Sequence, residues 1–173
     1  LFLQEKRNVP VTLTSSSNKT SLFKGLGLLF SNMAFWVILF YFAAPSLPGW
    51  ATKNWFPTLF AGSLDMPMKE AGPLSTITLA VSSFIGAVLI GGPLSDRWVQ
   101  KNLKGRIYTS AIGLGLTIPS LILLGYGNSL ITVVGAGVLF GIGFGMFDAN
   151  NMPILCQFVP QKLRATAYGF MNM

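Results

Sequence analysis

The chain has 173 residues, 51% of them apolar and only 10% charged, with 12 Lys and Arg against 5 Asp and Glu for a net charge of +7. Soluble domains carry about a quarter charged residues, so the composition excludes an ordinary water-exposed surface and points to membrane spans. There is no histidine, which removes the commonest general base and imidazole ligand, and the single Cys156 excludes an internal disulfide or thiolate cluster, so neither an enzyme nor a metal or cofactor site is expected.

A membrane helix needs about 20 mostly apolar residues to cross roughly 30 Å of hydrocarbon. The leading segment, 1–25, carries Lys6, Arg7, Lys19 and Lys24 and reads as a linker. The first apolar run extends from Leu26 to Phe60; it is too long for one straight crossing and is expected to be interrupted at Pro45, Pro48 and Gly49. The connection Ala61–Gly72 has Lys69 beside Asp65 and Glu70, and the second run covers Pro73 to Pro93. Next comes GGPLSDRWVQKNLKGR, Gly91 to Arg106, with Arg97, Lys101, Lys104 and Arg106 concentrated in what reads as a connecting loop.

The third run, Ile107 to Tyr126, contains no internal charge and reads as a peripheral, lipid-facing helix. After the uncharged turn GYGNS, the fourth run spans Leu130 to Val159, longer than the minimum and so tilted or projecting. A connection with Lys162 and Arg164 precedes a fifth run that starts at Ala165 and is too short to cross. The chain opens on Leu1 without the ordering of a signal peptide, so it reads as a piece of a longer protein, cut at both ends. The fold class expected is all-α: a polytopic helical membrane protein with four complete transmembrane helices and the start of a fifth, residues 26–173 forming a partial bundle.

Lys and Arg concentrate in short cytoplasmic connections. Here the basic segments alternate with poor ones, which places 1–25, Gly91–Arg106 and the Lys162–Arg164 connection on the cytoplasmic side. The net charge thereby reads as topology, and nucleic acid is not an expected partner.

Asp96 is unexplained by that count. It stands in Gly92, Pro93, Leu94, Ser95, Asp96, Arg97, a pattern that resembles the cytoplasmic loop motif of major facilitator superfamily transporters. PQKLRATAYGF, Pro160 to Phe170, is similar to that family's entry into its eleventh helix. The resemblance implies the C-terminal half of a two-bundle secondary transporter, helices seven to ten plus the start of the eleventh, with 1–25 as the central cytoplasmic linker and the missing N-terminal half as partner. It also implies a conformational gate built from Gly92, Leu94, Asp96, Arg97, Gly105, Arg106 and Arg164. Here WVQKNLK separates Arg97 from Gly105 and Arg106, where the family's glycine and basic pair follow almost at once. A carboxylate at this interface can accept from free amides at a helix start and pair with an arginine, holding two helices together.

A charge inside hydrocarbon costs about 2.5 to 3.5 kcal/mol on insertion scales, and two residues call for a reason, Lys53 and Asp148. Helical spacing puts Trp50, Lys53, Asn54 and Pro57 near one face, a cation, an indole and an amide suited to an anionic or hydroxylated solute. The competing reading has Lys53 extending its head to the outer interface beside an aromatic belt. Asp148, with Asn151 on the same face, is suited to a coupling proton or sodium ion, or to an ion pair with a basic residue elsewhere. The glycines from Gly135 to Gly145 and the Ser75, Thr78, Ser82, Gly86 face read as close helix packing.

The function expected is therefore secondary active transport of a small solute, an organic anion or sugar derivative, by alternating access in a cell membrane, with membrane lipid as the surrounding partner. The alternative from another class is a non-transporting membrane scaffold or assembly protein.

Overall fold

The computed structural model describes residue 27 and residues 29–172; the segment read as a linker, 1–25, lies outside the described residues. Among the described residues there is no strand. Four helices are long and apolar enough to cross a membrane: Met33–Leu64, Met68–Lys101, Gly105–Tyr126 and Leu130–Phe158, numbered here spans 1 to 4. A turn of 3-10 helix, Gln161–Leu163, and the helix Arg164–Met171 follow.

Span 1 corrects an expectation. It is one continuous helix with Pro45, Pro48 and Pro57 inside it, and the chain breaks earlier, at Ser31 and Asn32, where the Asn32 side chain accepts from the Ala34 amide at 3.0 Å. Each proline removes one amide donor, but the helix persists because no better partner for its carbonyls exists in an apolar setting. Nearby hydroxyls add bonds: Ser46 donates to the Phe42 carbonyl at 2.6 Å and Thr52 to that of Pro48 at 2.8 Å. The span ends at Asp65, whose φ of 48° is left-handed, and the Met66 amide turns back to the Ala61 carbonyl at 3.1 Å.

Span 2 changes its winding midway, α-helical over Met68–Phe84, π-helical over Ile85–Gly91 and α-helical again over Gly92–Lys101. Pro93 has no amide to continue the regular ladder, and the wider turn before it lets the Gly92 amide reach the Ala87 carbonyl instead. The Gly92–Arg97 stretch expected in a loop is therefore helix. The true connection to span 3 is a tight turn at Asn102–Lys104, where the Asn102 side chain accepts from the Lys104 amide at 2.9 Å.

Span 4 sits at the centre: 56% of its most apolar stretch is buried, against 22–28% in the other three. Its glycines explain the position. A Cβ on Gly137 would press on Phe56 and Thr78, one on Gly141 would strike the Ser82 side chain, and one on Gly145 would strike the Ser83 backbone. Gly86 in turn lies against the backbone of Ile142. Spans 2 and 4 thus run parallel and close along the predicted small-residue faces. On its other side span 4 meets span 3 in antiparallel register, Gly113 against Gly143 and the Ser120 hydroxyl donating to the Ala136 carbonyl at 2.8 Å. Span 3 turns Ile112, Ile118 and Ile122 outward, away from these contacts.

Span 1 reaches span 4 through a run of aromatic rings. Phe42 packs on Phe147 at 5.7 Å and Phe56 on Phe140 at 5.9 Å, while along span 4 itself Phe140 stacks on Phe144 and Phe144 meets Phe147 edge-on. Ring pairs of this kind add about 0.5–1.5 kcal/mol each beyond the area they bury.

Candidate functional site

Gly49 of span 1 lies directly against the ring of Phe144, with no room for a Cβ between them. One helical turn further on, the Lys53 ammonium sits over that ring, 3.8 Å from its centre. Helical side chains lean toward their own N-terminus, so Lys53, about 16 Å along the axis from Leu64 at 1.5 Å per residue, reaches back toward Phe144, about 21 Å from Leu130. A cation over an aromatic face gains about 0.5–2 kcal/mol, enough to hold the flexible side chain across the face instead of leaving it free to extend.

One turn beyond Phe144 stands Asp148. It forms no ion pair with Lys53 within 4 Å. The Asp148 carboxylate instead accepts from the Asn151 amide at 3.1 Å. Trp50 is 68% exposed, Lys53, Asn54 and Asp148 are also exposed, and Asn151 is half-buried. The Asn54 amide is bonded to the Trp50 carbonyl at 2.8 Å, which fixes it against its own helix. Pro57 is half-buried.

Phe144 thus stands between Lys53, which lies over its ring, and Asp148, one helical turn further along span 4. Phe144 and Gly49, which hold Lys53 in place, were missed; the signal was present in the i, i+4 spacing of Phe144 to Asp148 and Gly49 to Lys53, but their register across two helices is not written in either run.

Asp148 is also relocated. It ends the α-helix Leu130–Asp148, and a new helix starts at Asn151. Pro153 cannot donate to the Ala149 carbonyl, while the Asn150 side-chain amide takes the Met146 carbonyl at 2.9 Å and stabilises the interruption. Irregular backbone at membrane depth lines a cavity or is buried in protein; the break expected in span 1 lies in span 4, beside Asp148.

A second arrangement lies at the far end of span 2. Asp96 pairs with Arg106, Nη2 to Oδ1 at 2.8 Å, joining the end of span 2 to the start of span 3, with side chains 63% and 23% exposed. Arg97, its neighbour in the sequence, is exposed and makes no ion pair among the described residues. Gly105 permits the clasp, since a Cβ there would lie 2.6 Å from the Trp98 carbonyl carbon. Ser95 is fully buried and donates to the Gly92 carbonyl at 2.9 Å; Gly92 and Leu94 are half-buried on the same helix. Arg164 stands apart from this cluster in its bonding: its guanidinium donates to the carbonyls of Cys156 at 2.8 Å and Val159 at 3.2 Å, closing the C-terminal end of span 4.

A family model described as Major Facilitator Superfamily matches residues 1–173, the whole chain. No curated protein and no solved structure matches it. With three apolar spans packed about a glycine-rich fourth, and a family model covering the whole length, the chain belongs to the Major Facilitator Superfamily and is an integral, multi-pass membrane protein of a family whose activity is membrane transport.

Proposed function

We propose that the chain is the C-terminal half of a secondary transporter that moves a small solute, an organic anion or sugar derivative, by alternating access. Spans 1 to 4 take the places of helices seven to ten, and the basic connections face the cytoplasm. The observation that carries the reading is Lys53 held over Phe144, one helical turn from Asp148: opposite charges on two different spans that form no ion pair with each other, beside a helix break. A structural ion pair of this kind would be closed and buried. Lys53 is instead held open over Phe144, with Trp50 beside it as a flat wall, an arrangement suited to receiving a carboxylate. Asp148, steadied by Asn151, is the candidate carrier of a coupling proton or sodium ion, which would make the protein a symporter. The Asp96–Arg106 clasp acts as a latch between spans 2 and 3 during the exchange.

The test is uptake by proteoliposomes holding the intact transporter, across sugar acids, simple carboxylates and neutral sugars, with and without a proton gradient. A charge-assisted hydrogen bond contributes about 1.5–3 kcal/mol, so Lys53→Ala is expected to lower anion uptake by about 10- to 100-fold, with Lys53→Arg partly active. Uptake of neutral solutes indifferent to Lys53 would move the site elsewhere.

A further inference from the structure

The end of span 2 and the start of span 3 leave an open groove between them, of about 580 Å³, lined by Trp98, Tyr108, Ala111 and Ile112. Tyr108 and Ile112 are 48% and 44% exposed, so the groove opens on the outer face of span 3, where hydrocarbon fills an apolar surface better than water does. Each wall carries a lysine at the same end. Lys101 lies three residues beyond Trp98 on the last turn of span 2, and Lys104 lies four residues before Tyr108, whose amide donates to the Lys104 carbonyl at 3.1 Å. Both lysines therefore stand one helical turn outward from an aromatic side chain that lines the groove.

The turn between them is fixed: the Asn102 amide donates to the Trp98 carbonyl and the Gly105 amide to the Asn102 carbonyl, each at 2.8 Å. Lys101 and Lys104 are exposed and make no ion pair among the described residues, and the acid nearest in the chain, Asp96, is taken by Arg106. Arg97, one turn before Lys101, adds a further cation to the same end. A basic rim over an apolar groove suits a molecule with an anionic head and a hydrocarbon chain; a soluble anion would use only the rim, and a neutral lipid only the groove.

We propose that this groove binds an anionic phospholipid, its phosphate between Lys101 and Lys104 and one acyl chain along Trp98, Tyr108 and Ile112. The lipid bridges the ends of spans 2 and 3, the joint that the Asp96–Arg106 pair closes. A lysine at a membrane surface strengthens anionic-lipid binding about fivefold, so the two together give a preference of about 30-fold.

The test places the intact transporter in phosphatidylcholine nanodiscs and titrates in chain-brominated phosphatidylglycerol, with chain-brominated phosphatidylcholine as the matched neutral probe. Trp98 emission is read as the difference between the wild type and Trp98→Phe. Half of the Trp98-specific quenching is expected at about 3% brominated phosphatidylglycerol. In Lys101→Gln/Lys104→Gln the two probes should quench alike, in proportion to their share of the bilayer, which also shows that the groove is still formed. Lys101→Arg/Lys104→Arg should keep the preference, as should Lys69→Gln, which removes an exposed lysine at the other end of span 2. Equal quenching by the two probes in the wild type overturns the site, and so does a preference that persists in Lys101→Gln/Lys104→Gln. No quenching by either probe means that another part of the intact transporter covers the groove, and overturns it too.

Discussion

At Gly145 an added Cβ would lie 3.0 Å from the Ala87 amide and strike the Ser83 carbonyl, whereas at Gly135, on the same helix, it would meet nothing within 4 Å. The two residues are alike in composition and hydropathy and differ only in which way the helix turns them. Overpacking a tight contact typically costs about 1–3 kcal/mol, while Gly to Ala in an open helical position gains up to about 1 kcal/mol. Gly145→Ala is therefore expected to lower the thermal unfolding midpoint of the detergent-solubilised transporter, and Gly135→Ala to leave it level or slightly higher. Equal shifts in the two variants would mean that spans 2 and 4 do not approach at Gly145. That this glycine run serves packing was legible in the sequence; which of its members carry the contact was not, because helix rotation about the axis is set by the neighbours. Lys53 shows the same limit from the other side, since its charge was legible but the ring that holds it was on another span.

Among the elements, proline positions alone did not locate the breaks. Span 1 absorbs Pro45, Pro48 and Pro57 without interruption, while span 4 opens at Ala149 and Asn150 next to Pro153. The difference is local chemistry: Asn150 offers a side-chain amide that bonds the Met146 carbonyl, so leaving the helix there loses little. The π segment before Pro93 was likewise invisible to a reading that expected a loop from Gly91 to Arg106, yet it is what delivers Asp96 to Arg106 on a rigid helix. An ion pair this exposed contributes at most about 1 kcal/mol to stability. Its importance to the protein therefore lies in which conformation it favours. Asp96→Asn is expected to leave the unfolding midpoint almost unmoved and solute binding intact, while vesicle uptake slows several-fold. Unchanged turnover would remove the clasp from the transport cycle.

The molecule as a whole was the most legible level, because crossing a membrane imposes length and hydropathy on every span. Spans 2 and 3 were found to within a few residues except where Met68–Gly72 and Leu94–Lys101 extend the helix beyond the apolar run. What composition cannot supply is the neighbour relation, that span 4 is enclosed by the other three and that Phe144 therefore meets Gly49. The charge alternation makes a direct claim about span 3, whose ends carry Lys104 and Arg106 on one side and the uncharged Gly127, Asn128 and Ser129 on the other. Exposed residues exist at both ends, Leu103 and Asn128. With Cys156 and any further cysteine of the intact transporter replaced by Ser, single cysteines at Leu103→Cys and Asn128→Cys can be challenged with a membrane-impermeant maleimide. Asn128→Cys is expected to react on intact cells, and Leu103→Cys only after permeabilisation. The reverse pattern would invert the topology, and with it the side from which Asp96 and Arg106 act; reaction of both from outside would mean that Gly105–Tyr126 does not cross.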